Sequence, residues 1–202
     1  MASPPVIAAA VEGIVDEAVA RRLIREAGGI PGPVYGKNGK QHLRQKINGY
    51  NNAARFAPWL VLVDLDTGAS CAPSLRQNWL PVSAPWLCFR IAVPQVEAWL
   101  LADAESLVAY LGVAKRKIPD NLEALLDAKT AMVNLARGSR RRDIQQDMVP
   151  RPSSGRKVGP AYTSRLVEYV ENHWQPARAA QHADSLRRAI QCLQRLVSRW
   201  DC

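Results

Sequence analysis

Residues 59–66 are Trp-Leu-Val-Leu-Val-Asp-Leu-Asp, a continuous apolar run that ends in two acids. Strands of parallel sheets are buried on both faces and typically have this continuous apolar composition. A second run of the same kind, residues 6–11, ends at Glu12 and Gly13. Because open α/β sheets bind their ligands where the strands end, these acids predict a site at one edge of a sheet.

Helix and strand patterns alternate around these two runs. Residues 16–27 have the apolar spacing of a helix, and residues 30–35 predict a short edge strand because they contain two prolines. Residues 36–50 predict a polar loop that leads into a helix, and residues 87–93 predict a fourth strand. The predicted fold class is therefore α/β, with a mostly parallel four-stranded Rossmann-like sheet flanked by helices.

Beyond Leu111 the pattern becomes helical. Helices are predicted over residues 119–137 and over about residues 184–200, whereas residues 138–160 are rich in proline, glycine and basic residues and predict a loop or mobile segment. We interpret residues 1–111 as an α/β domain that carries the acids. Residues 112–202 are then a basic, mainly helical C-terminal extension packed on it.

Charge is distributed unevenly between these two parts. The chain has 27 basic and 18 acidic side chains, of which residues 1–111 hold 10 and 9, and residues 112–202 hold 17 and 9. This asymmetry favours a polyanionic partner for the C-terminal part, although Arg-rich helices that are only well solvated would give the same excess. The candidates for contacts with a nucleic-acid backbone are Arg90, Arg140, Arg141, Arg142, Arg156 and Lys157.

Several classes of protein are excluded or disfavoured by composition. No apolar stretch approaches the roughly 20 residues of a membrane span, and the N-terminus lacks the basic region of a signal peptide, so a cytoplasmic location is expected. Four scattered cysteines without a Cys-x-x-Cys pair favour free thiols over zinc ligands or disulfides. A Gly-x-Ser-x-Gly elbow and a P-loop are both absent from the sequence.

The first acidic pair is Glu12 and Asp16. If Glu12 ends a strand and Asp16 begins a helix, both carboxylates face the same crevice, and Gly13 leaves room for the backbone to turn and for a phosphate to approach. The alternative is that Asp16 only complements the partial positive charge of the helix N-terminus.

The second acidic pair is Asp64 and Asp66. Alternate side chains of a strand diverge unless the chain turns sharply, and Thr67 with Gly68 supplies such a turn. Two carboxylates brought together can hold Mg²⁺, although a plain turn rich in aspartate has the same composition.

A third acidic pair follows the fourth strand, where Pro94 is predicted to begin a helix. Glu97 lies near the start of that helix, close to the same sheet edge, and is a further candidate ligand. Asp103 lies on the apolar stripe of the helix, where a buried, hydrogen-bonded structural acid is an equally good explanation.

A strand followed by Glu12-Gly13 and Asp16, and a later strand followed by Asp64-x-Asp66, resemble the TOPRIM superfamily of topoisomerases, primases and overcoming-lysogenization-defect nucleases. The resemblance implies that Glu12 has an acid-base or metal-binding role and that Asp64 and Asp66 bind Mg²⁺. A closer likeness is to a TOPRIM-like bacterial family found among phage-defence genes. It rests on residues 50–52, 63–66, 71–75, 89–93, 96–103 and 158–162.

This resemblance implies a Mg²⁺- or Mn²⁺-dependent nuclease that acts on DNA or RNA, tRNA included, as a phage-defence effector. Glu12, Asp64 and Asp66 are the expected catalytic residues, and Asp16 and Glu97 complete the expected metal ligands. At 202 residues the chain has no room for the additional domains of topoisomerases or primases. The resemblance is compatible with an ATPase-type sensor as partner and with an oligomer.

Two alternatives remain. A TOPRIM-like scaffold could bind nucleic acid or protein without catalysis. A haloacid-dehalogenase-like phosphatase is suggested by residues 61–68, which resemble that family's nucleophile motif, but Thr67 and Gly68 stand in the reverse order and no later Asp-Asp pair follows a strand.

Overall fold

The computed structural model describes residues 3–66 and 71–200. Its centre is a four-stranded, all-parallel sheet in the order β2-β1-β3-β4. The strands are β1 (Val6–Val11), β2 (Ile30–Gly36), β3 (Trp59–Asp64) and β4 (Leu87–Ala92). The predicted α/β class, the parallel sheet and the edge position of β2 are confirmed.

Helices connect the strands and continue to the C-terminus. Within residues 3–66 and 71–200 they are α1 (Ile14–Glu26), α2 (Lys40–Ala53), α3 (Ala72–Trp79), α4 (Val96–Leu101), α5 (Ala104–Leu111), α6 (Ala128–Arg137), α7 (Arg142–Met148), α8 (Tyr162–Asn172), α9 (Pro176–Ala179) and α10 (Asp184–Trp200). Two short 3₁₀ turns, Lys115–Lys117 and Leu122–Ala124, lie between α5 and α6.

The sheet is covered on both faces, which explains its continuous apolar strands. Alternate residues of a strand point to opposite faces. In β3, Leu60 and Leu62 join the larger core with α1 and the C-terminal helices, whereas Val61 and Val63 join a smaller core beneath α2 and α3. Residues 60–63 of β3 are therefore buried whichever way they point.

Two of the C-terminal helices pack against the sheet or against α1, which covers one of its faces. Helix α8 contacts α1, and α10 contacts both α1 and β4. Leu193 and Leu196 of α10 belong to the same apolar core as Ile7 of β1. The predicted helix at residues 184–200 is confirmed, while the division of the chain at residue 111 stays a prediction.

The prediction of a single helix that begins at Pro94 is wrong. The Val93–Pro94 peptide bond is cis and precedes the helix, whose N-cap is Gln95. Helix α4 then ends at Leu101, because Asp103 caps a new helix with its side chain instead of continuing the first. Aspartate competes for backbone donors in this way and so favours caps over helix interiors.

Two predictions beyond Leu111 also need correction. Helix α6 covers only the second half of residues 119–137, since Asp127 accepts a hydrogen bond from the Thr130 N–H and sets the helix start at Ala128. The expected loop at residues 138–160 contains α7, where Ile144 and Met148 lie four residues apart and are buried. In the part of the chain that the structure describes, no helix is both long and apolar enough to cross a membrane.

Candidate active site at the carboxyl ends of the strands

Glu12 and Asp64 meet where two neighbouring strands end. Glu12 directly follows β1, and Asp64 is the last residue of β3. The Asp64 N–H donates to Glu12 Oε1 at 2.9 Å. The side chain of the first acid therefore lies against the backbone of the second strand end, as the sequence predicted for this edge of the sheet.

Asp16 lies in the first turn of α1 and is 7% exposed. A Cβ atom at Gly13 would stand 2.9 Å from Asp16 Oδ2, so the space that this glycine leaves is taken by the carboxylate of Asp16. Within the described residues, Asp16 Oδ1 is buried without a hydrogen-bond partner. Backbone N–H groups of Gly13 and Asp16 stabilise the charged form of this carboxylate, as expected for an acid at a helix N-terminus, whereas an unpartnered buried acceptor costs about 1–3 kcal/mol of folding free energy.

Asp64, at the end of β3, and Glu97, in the first turn of α4, lie on either side of the start of this helix. The Val96 N–H donates to Asp64 Oδ1 at 2.9 Å, which ties the end of β3 to the first turn of this helix. Glu97 is 2% exposed, and the Tyr162 hydroxyl donates to its Oε1 at 3.3 Å. Lys129 Nζ lies 3.6 Å from the same oxygen.

Electrostatic interactions join these acids into one cluster, which we call the acidic cluster and define as Glu12, Asp16, Asp64 and Glu97. Burial raises the pKa of Glu12 to about 7, and burial together with the charge of Glu97 raises the pKa of Asp16 to about 6. The pKa of Asp64 lies well above its usual value because of burial and then of repulsion from Asp16 and Glu97.

Asp66 belongs to the same edge but has other partners. Its φ angle of 53° places it in the left-handed region, so the chain bends at this residue. Its Oδ2 accepts from Lys40 Nζ at 3.0 Å and its Oδ1 from Gln95 Nε2 at 3.2 Å. Lys40 also donates to the backbone oxygens of Asp64 and Leu65. The turn predicted at residues 67 and 68 lies outside the described residues.

These side chains fit a hard divalent cation in chemistry, although they are not arranged as a finished site. Among residues 3–66 and 71–200, no group of three or more His, Cys, Asp or Glu side chains is placed to hold a metal ion. Carboxylate oxygens are nevertheless the ligands that Mg²⁺ and Mn²⁺ prefer, and the unpartnered Asp16 Oδ1 supplies a free acceptor. The predicted cation site stays a prediction.

Two lysines that the sequence did not single out supply positive charge here. Lys40 lies on Asp66, and Lys129 faces Glu97. Burial disfavours the charge of Lys129, but the negative charges of Glu97, Asp64 and Asp16 hold its pKa above the usual value. Tyr162 also lies in the site, where it contacts Glu97. The sequence pointed to Tyr162 only through the segment 158–162, which is part of the family resemblance.

The basic residues predicted to contact nucleic acid fall into separate places. Arg140, Arg141 and Arg142 follow the C-terminus of α6, a helix about 15 Å long whose first turn carries Lys129. Arg141 is tied to Asp143 and to the Tyr110 carbonyl. Arg140, Arg142, Arg156 and Lys157 are exposed. Arg90 alone of the predicted set lies in the sheet.

Comparison with family models, curated proteins and solved structures gave no match to this chain. The fold and the acidic cluster therefore define the protein only as an α/β protein with a Rossmann-like parallel sheet and a cluster of carboxylates at its carboxyl edge.

Proposed function

We propose that this protein is a Mg²⁺-dependent nuclease that hydrolyses phosphodiester bonds of DNA or RNA. The observation that supports this most is the acidic cluster, in which Asp16 and Asp64 face like charges while one oxygen of Asp16 lacks a partner among the described residues. Such an arrangement costs folding free energy, and its natural compensation is a divalent cation. The resemblance to TOPRIM nucleases supports the same function.

The residues of the site have distinct roles in this proposal. Asp64, Asp66 and Glu12 hold the cation, and Asp16 and Glu97 complete the ligand set. Bound Mg²⁺ or Mn²⁺ supplies Lewis-acid neutralisation of phosphate charge and lowers the pKa of a water molecule. If Asp64 and Asp66 alone hold the cation, Glu12, whose pKa burial raises to about 7, would be able to accept or release a proton near neutral pH.

Lys40 and Lys129 provide positive charge that does not depend on a metal. Each ammonium group lies within 4 Å of a carboxylate of the site, at 3.0 Å from Asp66 and 3.6 Å from Glu97. Placed there, they neutralise part of the charge that accumulates on a phosphate in the transition state.

The substrate class is inferred from charge. Seventeen basic side chains in residues 112–202 favour a polyanion over a small phosphomonoester. A role as a phage-defence effector, with tRNA as one substrate and an ATPase-type sensor as activating partner, extends the same proposal.

A non-catalytic scaffold is the second candidate, and Lys40 is the observation that favours it. Its ammonium group donates to Asp66 and to the backbone oxygens of Asp64 and Leu65, so it takes the place that a cation could occupy. In a scaffold these contacts would be permanent, whereas in the nuclease Lys40 would move from Asp66 when metal binds.

The test is cleavage of plasmid DNA, single-stranded DNA and tRNA by the purified chain with Mg²⁺ or Mn²⁺. We expect Asp64→Asn, which keeps an oxygen for the Val96 N–H, to lose roughly a hundredfold or more of the rate. Asp120→Asn is the matched control, because Asp120 is exposed and the chemical change is the same.

Three results would count against the nuclease. Equal rates in Asp64→Asn and Asp120→Asn would place the activity elsewhere. Hydrolysis of a phosphomonoester without cleavage of any nucleic acid would favour the phosphatase alternative. Metal-insensitive binding of nucleic acid without cleavage, by wild type and Asp64→Asn alike, would favour the scaffold.

A further inference from the structure

Arg90 is placed unusually for an arginine. It is the one basic residue within the four strands, all of which the structure describes, and it lies on the edge strand β4. Its Nε is buried and lacks a hydrogen-bond partner in the described part of the chain. The rest of the guanidinium hydrogen-bonds to the thiols of Cys88 and Cys192, and a hydrogen bond from Cys88 together with the charges of Arg90 and Arg195 lowers the pKa of Cys192 to about 6. A buried charged donor of this kind favours an anion that would satisfy it.

Helix α10 adds further positive charge around Arg90. Arg90, Arg187, Arg188, Gln191 and Arg195 line a cleft of about 400 Å³, which we call the arginine pocket. The acidic groups nearest to its four arginines are Asp184, beside Arg187 and Arg188, and the thiol of Cys192, beside Arg90 and Arg195.

The local carboxylate does not neutralise the arginine pocket. Asp184 pairs with Arg187 and Arg188, so one negative charge is shared between two of the four guanidinium groups. Arg195 has no ion pair within the part of the chain that the structure describes. The pocket thus keeps an excess of positive charge, and planar guanidinium forks match the oxygens of a phosphate.

The arginine pocket and the acidic cluster lie on the same face of the sheet. Arg90 pairs with Leu62 and Asp64 pairs with Ala92, so Arg90 and Asp64 stand on neighbouring strands two residues apart in register. Strand geometry then puts their Cα atoms about 8 Å apart.

A second cleft, of about 430 Å³, borders the free edge of β4. Its lining includes Arg90, Arg188 and Val93, together with two acids, Glu123 and Asp184. Val93 precedes Pro94, whose carbonyl accepts a hydrogen bond from the Asp66 N–H at 3.1 Å. An extended strand that left the arginine pocket along this cleft would pass Val93 and approach Asp66, which lies beside the acidic cluster.

We infer that the arginine pocket binds a phosphate group, and that this phosphate belongs to the backbone of the strand whose neighbouring phosphodiester reaches the acidic cluster. The second part rests on the proposed nuclease function, while the first does not. The pocket fixes the position of the strand and carries no base recognition, because guanidinium groups contact phosphates without regard to sequence.

The test is binding without catalysis. Fluorescence anisotropy would measure the affinity for short labelled single-stranded DNA and RNA in EDTA, over a series of salt concentrations, with inorganic phosphate as competitor. Arg195→Gln removes an exposed charge and Arg90→Met removes the buried one. Arg55→Gln is the matched control, an exposed arginine that precedes β3 and so lies towards the amino ends of the strands.

We expect each pocket variant to bind the strand about tenfold more weakly, a difference of about 1.4 kcal/mol. The slope of log affinity against log salt should fall by about 0.7 for each phosphate that the variant no longer neutralises. Arg55→Gln should match wild type in both. Because Arg195 is exposed, its variant also tests the pocket if Arg90→Met fails to fold.

The outcomes separate this inference from the proposed function. Equal affinity of wild type, Arg195→Gln and a folded Arg90→Met overturns the arginine pocket, whether or not the wild type cleaves nucleic acid. Binding of inorganic phosphate, measured directly by titration calorimetry, without binding of any strand overturns the backbone assignment and keeps the phosphate site. Loss of strand binding in both pocket variants supports the inference even if no cleavage is ever detected.

Discussion

Asp16 and Asp103 are both buried acids, but their surroundings differ completely. Asp103 is 0% exposed, and its oxygens accept from Arg178 Nε at 2.6 Å and from the Gln175 N–H at 2.8 Å. Asp16 is 7% exposed, faces the negative charge of Glu97, and keeps one oxygen without a partner in the described residues. Burial alone therefore does not mark a functional acid, whereas burial without compensation does.

The physical reason is the cost of desolvation. A buried carboxylate with an arginine and two backbone donors recovers most of what it loses on leaving water. One that faces other carboxylates recovers less, and uncompensated groups of this kind cluster at functional sites. Asp103 thus stabilises the contact between α5 and α9, whereas Asp16 is one of the acids that we propose as ligands of a cation.

The largest expected effect concerns Asp103. Asp103→Ala should lower the free energy of unfolding by about 2–3 kcal/mol, since it leaves the Gln175 N–H and the partly exposed Arg178 without their acceptor. Asp16→Asn should instead raise it by about 1 kcal/mol, because it removes a repelling charge. Urea denaturation in EDTA measures both.

The control for this pair is Asp120→Asn, an exposed change expected to stay within about 0.5 kcal/mol of wild type. The proposed difference between Asp16 and Asp103 is contradicted if Asp16→Asn loses as much stability as Asp103→Ala. That result would mean that Asp16 is held by partners as good as those of Asp103.

The strand ends were predictable because the information is local. The apolar runs before Glu12 and Asp64 set both the strands and the places where they end, and parallel pairing then brings these ends to one edge. The same kind of pattern predicted that Asp103 lies within a helix, on its apolar stripe. Asp103 instead caps a new helix, because its side chain accepts a hydrogen bond from the Ser106 N–H.

Residues supplied by distant segments could not be predicted in this way. Lys129 reaches Glu97 from 32 positions further along the chain, and Tyr162 from 65 positions. Both interactions depend on how the C-terminal helices pack on the sheet, and no period in the sequence encodes that packing. The burial of Arg90 Nε without a partner likewise depends on α10, which meets β4 only in the folded molecule.

Binding of a divalent cation should raise the free energy of unfolding by an intermediate amount, and this rise should depend on the acidic cluster but not on Asp103. At a Mg²⁺ concentration ten times its dissociation constant, the folded protein gains about 1.4 kcal/mol, a rise of roughly 3–5 °C in Tm. Wild type and Asp103→Ala should show the same rise from different starting values. Asp64→Asn should show little or none, and thermal denaturation with and without EDTA measures all three.

A rise of the same size in Asp64→Asn would show that the cation binds elsewhere. A rise confined to wild type and abolished in Asp103→Ala would tie the metal to the α5–α9 contact and remove the distinction between the two acids.

Stability should also depend on pH, with a sign opposite to that of ordinary acid denaturation. The pKa of Glu12 rises from 4.5 to about 7 on folding, mainly through burial. Between these values the folded protein holds a proton that the unfolded chain has released. The contribution to the free energy of unfolding is therefore complete below about pH 4.5 and is lost as the pH rises through about 7.

Glu12→Gln isolates this contribution, because the amide keeps an oxygen for the Asp64 N–H and does not titrate. Relative to wild type in EDTA, the variant should gain stability as the pH rises from 4.5 to 7 and should gain nothing further above that range. Urea denaturation of both proteins across these values measures the difference. A difference that stays constant with pH would mean that Glu12 is already compensated in the metal-free protein, as Asp103 is by Arg178.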